Sequence, residues 1–329
     1  MNPRPSGYEP DELPDCSTPR RWIAYSKPFC CISHFGSTHD GRHVRRQHLR
    51  GFDRVACPGQ RSEDLLDLTL EGRRALVGGG SQGIGRGCAE ALAARGASVT
   101  LLSRNAEALD TACRGLPRPT GQDHRFIAVD FGVWKDVRDA AASDVAQNGP
   151  VAVVVNNTGG PAAGPAREAE VESFASAFEQ HVLSFQALAR VVVPGMIEMG
   201  YGRIINIISS SVIIPVRDLG VSNTIRGAVA NWGRTLAAEL GPHGITVNNA
   251  LPGYIDTDRL RSLMRRRAEL AGVTEQAVAE TMTGSVPAGR LGTPADMGAV
   301  VAFLASPEAA YVNGVNLAVD GGRMVSLNA

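Results

Sequence analysis

Net charge is what this sequence lacks. Its 33 Lys+Arg balance 33 Asp+Glu to +0 over 329 residues, which argues against a nucleic-acid partner or a strongly acidic one. Aromatic residues make up only 5%, and the abundant alanine and glycine suit helices packed closely on a parallel sheet. No apolar run reads as membrane-spanning in length. Near the N-terminus, Pro, Asp and Glu occupy the place where a signal peptide needs an apolar core, so a cytoplasmic protein without a membrane partner is expected. The six cysteines are irregularly spaced and no structural disulfide is expected.

Residues 1–65 also lack sustained periodicity. They carry Pro, Arg, Ser and His throughout, and the expectation is a disordered extension or a start codon placed too far upstream. Cys30, Cys31, His34, His39, His43, His48 and Cys57 crowd together there. No C-x2-C or H-x3-H pair among them stands beside an apolar core, so no metal site is expected.

From Arg73 to Asn105 the pattern changes. Arg74-Ala75-Leu76-Val77 reads as a buried parallel strand. The run from Gly78 to Gly85 breaks it, and Cys88, Ala89, Leu92 and Ala93 then recur at helical spacing until Gly96. Ala97 to Leu102 is the next strand. Glycines between a strand and a helix N-terminus let backbone amides approach a pyrophosphate, and the helix dipole favours its charge. Strands and helices alternate thereafter: helix 133–147, strand 151–155, a long helix 168–199, strand 202–208, helix 221–240 and strand 245–250. The expectation is an α/β fold, one doubly wound parallel sheet of about seven strands, over residues 66–329.

Gly79, Gly83 and Gly85 follow G-x-x-x-G-x-G, and here the sequence resembles the short-chain dehydrogenase/reductase family. Further landmarks fall in the family's order. Asp130 ends the third strand, Asn156-Asn157-Thr158-Gly159 is similar to N-N-A-G, and Gly202 to Ser209 is similar to G-R-I-[IV]-N-I-x-S. Leu251 to Thr257 resembles the P-G-x-[IV]-x-T segment, and Gly289 to Pro294 and Val319 to Gly322 match C-terminal signatures. The resemblance implies cofactor contacts from Gly79, Ser81, Gln82, Gly83, Ile84 and Gly85 in the first turn. It implies others from Asp130, Asn157, Gly159, Pro252, Gly253 and Ile255. An NAD-preferring site places a carboxylate at the end of the second strand; this chain has Ser103-Arg104, whose donors suit a 2′-phosphate, so NADP(H) is favoured over NAD(H).

The catalytic pattern departs from the family. Its Tyr-x-x-x-Lys pair falls on Ser222 and Arg226, and its relay Asn on His181; only Ser209 keeps its identity. Lys27 and Lys135 are the only lysines, and neither follows a Tyr by four residues. Arg226 can still reach the cofactor ribose, Ser222 is a poor acid beside a phenol of pKa ~10, and His181 titrates near ~6.5 if unperturbed. Tyr254 is another phenol that can face the nicotinamide.

The expectation is an NADP(H)-dependent oxidoreductase interconverting a carbonyl and a secondary alcohol with an atypical tetrad. The alternative is a non-redox lyase, isomerase or cyclase, or a cofactor-binding regulator, on the same fold. Residues 256–283 read as a helical substrate lid, with arginines from Arg259 to Arg267 that suit an anionic or acyl-thioester substrate, partly balanced by Asp258, Glu269, Glu275 and Glu280. The helices holding His181 and Ser222 carry Val182, Leu183, Phe185, Leu188, Val229, Trp232 and Leu236. The resemblance implies that they pack on symmetry mates in a homotetramer.

Overall fold

The computed structural model describes residues 68–326; the expected extension and its Cys/His cluster lie outside them. The elements run β1 (Arg74–Gly78), α1 (Gly83–Ala94), β2 (Ser98–Ser103), α2 (Ala106–Arg114), β3 (Arg125–Ala128), α3 (Trp134–Asn148) and β4 (Val153–Asn156). They continue through α4 (Val171–Phe178), α5 (Ser184–Met199), β5 (Gly202–Ile207), α6 (Gly220–Leu240) and β6 (Ile245–Pro252). Last come α7 (Asp258–Ala271), α8 (Glu275–Gly284), α9 (Pro294–Ala305) and β7 (Asn316–Val319).

All seven strands join one parallel sheet in the order β3-β2-β1-β4-β5-β6-β7. Strand order reverses between β1 and β4, and a crevice at such a switch point, outside the carboxyl ends of the strands, is where open α/β sheets take their ligands.

Successive strand residues point to opposite faces, so each strand feeds two cores. Ala75, Val77, Val153 and Val155 pack with Cys88 and Leu92 of α1 and Met297 and Val301 of α9. Leu76 and Val154 turn the other way, onto Phe185, Leu188 and Val192 of α5 and Val229 of α6. This two-sided burial is why the strands read as continuous apolar runs rather than alternating ones. Phe185, Leu188 and Val229 therefore bury their apolar surface inside the chain, and Val182, Trp232 and Leu236 are partly covered by it.

One expectation needs correction. The long helix is α4 and α5 joined by a π-turn at Glu179–Leu183. Together they form one stretch, Val171–Met199, of mean hydropathy 1.4, long and apolar enough by length and composition to cross a membrane. Phe185, Leu188, Val192 and Met196 of this stretch are spent on the sheet.

Candidate active site

The first turn forms as its glycines require. Gly79 and Gly83 sit at φ +60° and +54°, a region open to glycine and costly for side chains. A Cβ on Gly85 would lie 2.2 Å from the Gly79 carbonyl oxygen and 2.8 Å from Asn157 Nδ2. Gln82 begins α1 with no side-chain cap, so the amides of the first turn have no side-chain acceptor from that residue and present their dipole to an incoming anion. The Ser103 hydroxyl lies 3.2 Å from that of Ser81. Arg104 beside them is 79% exposed, and its one ionic contact among the described residues, Asp130, is 4.0 Å away. Such a pair contributes little in water and leaves the guanidinium available. Asp130 itself accepts the amide of Gly132 at 2.9 Å.

Asn157 ties this turn to the loop after β4, donating from Nδ2 to Gly78 O at 3.0 Å. Its neighbour Asn156 starts a ladder that the sequence reading did not anticipate. Asn156 donates to Asn206 at 2.8 Å, Asn206 to Asn249 at 2.9 Å, and Asn249 to Asn316 at 2.9 Å. These four residues are direct register partners across β4, β5, β6 and β7. Asn156, Asn206 and Asn249 are buried, and their amides fix the relative registers on which the site loops stand.

Ser209 follows β5, half-buried, with its Oγ accepting the Ser211 amide at 3.1 Å. That bond leaves its own hydroxyl hydrogen for another acceptor. Arg226 lies on the inner face of α6, 8% exposed, and donates from Nη1 to Ile207 O at 2.7 Å. Ser222 stands one turn earlier on the same helix and is half-buried, without a side-chain hydrogen bond to any described residue. Burial first, then the nearby Arg259, lower the Arg226 pKa to about 10, and it remains protonated at neutral pH.

His181 is fully buried in the π-turn, edge-on to Phe185 with ring centroids 5.9 Å apart. Neither ring nitrogen makes a hydrogen bond of ordinary geometry, although the Gly159 backbone lies near enough to favour the charged form. Burial and the Arg226 charge push its pKa down to about 2. The expectation of titration near neutrality is thus corrected: in these surroundings the imidazole is neutral. Gln180 beside it donates to Thr158 Oγ1 at 2.9 Å and Gly159 O at 3.1 Å, so the π-turn braces the post-β4 loop.

Pro252, Gly253 and Ile255 lead out of β6. Gly253 N donates to Val319 O at 3.0 Å, and Ile255 pairs with Gly292. Thr257 then caps α7 and its methyl approaches Gly83, at 3.3 Å from a built Cβ, which brings the start of the helical pair α7–α8 to the glycine turn. The Tyr254 ring packs with Leu260, Met264 and Met282, and the Arg323 guanidinium lies 4.3 Å from the ring centroid. Among the α7 arginines, Arg261 pairs with Asp256 and Asp258, and Arg265 with Glu275. Arg259 instead donates to the Pro161 carbonyl.

These groups stand side by side. Asn157 bonds the glycine turn, Arg226 Nη2 would lie 3.7 Å from a Cβ built on Gly160 of the post-β4 loop, and Arg226 Nη1 bonds Ile207 O, two residues before Ser209.

Comparison with known proteins gives consistent matches. The family profile described as "Enoyl-(Acyl carrier protein) reductase" matches residues 79–323. A 3-oxoacyl-[acyl-carrier-protein] reductase of Vibrio cholerae is 32% identical over 259 residues, 78% of this chain and 98% of the relative. Gluconate 5-dehydrogenase of Gluconobacter oxydans is also 32% identical, over 79% of this chain and 98% of the relative. Among solved structures, L-sorbose reductase of Gluconobacter frateurii, complexed with NADPH and L-sorbose, superposes with a TM-score of 0.74. It is 29% identical, covering 79% of this chain and 99% of that one.

Proposed function

Because the chain belongs to the short-chain dehydrogenase/reductase family, we propose that it is an NADP(H)-dependent oxidoreductase interconverting a small-molecule carbonyl and a secondary alcohol. The observation that carries this reading is the juxtaposition of the uncapped glycine turn, the post-β4 loop bonded to it through Asn157, and Arg226 anchored two residues before Ser209. The turn fits a pyrophosphate, and Ser81, Ser103 and Arg104 supply donors for a 2′-phosphate. NADPH, when bound, supplies the hydride.

Ser209 keeps a hydroxyl hydrogen to donate to the substrate oxygen as negative charge grows on it. Arg226, anchored on Ile207, is a fixed cation facing the same loop. Ser222 offers a hydroxyl for a proton path but lacks a phenol's acidity. His181 has two buried ring nitrogens without ordinary partners, and such groups are satisfied by ordered water. A neutral imidazole holding that water does the task of the family's relay Asn without changing charge. Gly159, Asn157, Asp130, Pro252, Gly253 and Ile255 frame the cofactor side.

The decisive test mixes purified protein with NADPH, a panel of ketones and β-ketoacyl thioesters, and follows nicotinamide absorbance. Turnover is expected. Ser209→Ala should lower kcat by about 10²-fold, the usual loss on removing one donor to a developing oxyanion, while NADPH affinity stays within about twofold. NADPH binding without turnover of any substrate would instead support a non-redox lyase, isomerase, cyclase or cofactor-binding regulator. Ser222 and Arg226, where the family's pair stands, are the observation that favours that second reading.

A second outcome concerns cofactor choice. NADPH should bind at least about tenfold more tightly than NADH, since a charged hydrogen bond contributes ~1.5–3 kcal/mol. Arg104→Asp should reverse the order by placing a carboxylate against the phosphate. Equal affinities of the wild-type protein for both dinucleotides, by fluorescence titration, would contradict this.

Self-association is part of the proposal. Val171, Phe178, Leu183, Ile197 and Met199 remain exposed along α4, the π-turn and α5, an apolar strip that supports a homotetramer. Light scattering at micromolar concentration should give four chain masses, and a monomer would refute it.

A further inference from the structure

Two arginines from separate elements meet at Gly160 with no carboxylate between them. A Cβ built on Gly160 would lie 3.6 Å from Arg259 Nη2 and 3.7 Å from Arg226 Nη2. Arg226 comes from the buried side of α6 and spends only Nη1, on Ile207 O. Arg259 comes from the exposed first turn of α7 and is held over the loop by the Pro161 carbonyl. Neither makes a salt bridge with a described residue, whereas the neighbouring Arg261 and Arg265 both do. Holding two guanidinium groups together, one of them desolvated, costs free energy that only a counter-charge recovers.

We propose that the substrate carries a carboxylate, and that Arg226 and Arg259 hold it between them above Gly160. This rests on the oxidoreductase reading for the word substrate, but the anion subsite itself rests only on the geometry of the two arginines. Planar guanidinium forks match the two oxygens of a carboxylate. Arg226, tied to the carbonyl two residues before Ser209, sets the anion close to the hydroxyl that receives the reacting oxygen. Arg259, on the first turn of α7, links capture of the anion to seating of α7–α8. The Arg226 pKa, lowered in part by Arg259, agrees with this proximity. The sources to be separated are a substrate carboxylate and the phosphates of the cofactor.

The experiment measures, by calorimetry with and without saturating NADPH, binding of 4-oxopentanoate and 2-oxobutanoate against their methyl esters. At least one acid should bind about tenfold more tightly than its ester, a difference of ~1.4 kcal/mol. Arg259→Gln should remove that preference without changing NADPH affinity, and Arg259→Glu should make the ester the better ligand. Position 259 is exposed, so both variants are expected to fold. Equal binding of acids and esters, including no binding of either, overturns the proposal. So does an Arg259→Gln variant that loses NADPH affinity and keeps the acid preference, since the anion is then the cofactor's own. Acid preference in a protein that never oxidises NADPH leaves the subsite standing and fails the oxidoreductase reading instead.

Discussion

Acidification from pH 7 to pH 5 is expected to destabilise the protein by about 2 kcal/mol more than it destabilises a His181→Asn variant. In the unfolded chain an imidazole takes its proton near pH ~6.5. In the folded chain burial and the Arg226 charge hold His181 near about 2. Between those values only the unfolded chain binds the proton, so stability rises with pH through the window and is lost as pH falls below ~6.5. The slope is ~1.4 kcal/mol per pH unit for one such group. His124 is also lowered, mainly by burial, and acts in the same direction, but it is common to both proteins and cancels in the comparison. Asn is uncharged, so it removes the titration while keeping a polar group for water. Urea midpoints of both proteins at the two pH values measure the effect. Identical pH responses would mean that His181 is charged or solvated in the folded protein, and the relay role would lose its physical basis.

The readable parts of this molecule are those whose cause is local. Ala75-Leu76-Val77 is apolar at every position because both faces of the central sheet are covered, and the turn after it needs glycine at Gly79 and Gly83 for their positive φ. The seven-strand parallel sheet follows from repeating that unit. The π-turn at Glu179–Leu183 was not legible, since one extra residue in a helix changes which side chain faces inward by about 100° and leaves no periodic mark. Yet it buries His181 and so decides its protonation. The asparagine ladder was equally hidden. Asn156 and Asn206 are visible in the sequence as motif letters, but only strand register shows that they bond to each other and, through Asn249, reach Asn316. The Arg226–Arg259 convergence required knowing that α7 begins beside the post-β4 loop. In sequence Arg259 is one arginine in a run, and a run of charges is ordinarily a solvated helix face.

Restoring the family's pair gives the largest expected change in activity. The double variant Ser222→Tyr with Arg226→Lys should reduce neutral ketones with a kcat about 10²-fold above wild type, the usual contribution of a positioned general acid. Ser222 and Arg226 stand one turn apart on α6, so Tyr and Lys at these positions share a helix face. The ammonium lowers the phenol pKa by direct charge, and the phenol then donates to the oxygen that Ser209 already polarises. Ser222 has no side-chain partner to lose among the described residues and is half-buried, so the larger ring has a path outward. Arg226→Lys keeps a cation near Ile207 O but gives up the planar fork, which should weaken carboxylate preference while ketone turnover rises. An unchanged melting temperature and NADPH affinity would establish that the variant is folded. A folded variant slower than wild type would mean that the native pocket already delivers its proton well by another route. The assignment of Ser222 and Arg226 as a vacated acid position would then be wrong. A gain confined to the double variant, absent from Ser222→Tyr alone, would show that the phenol works only with its ammonium partner, because only that charge brings its acidity toward neutral pH.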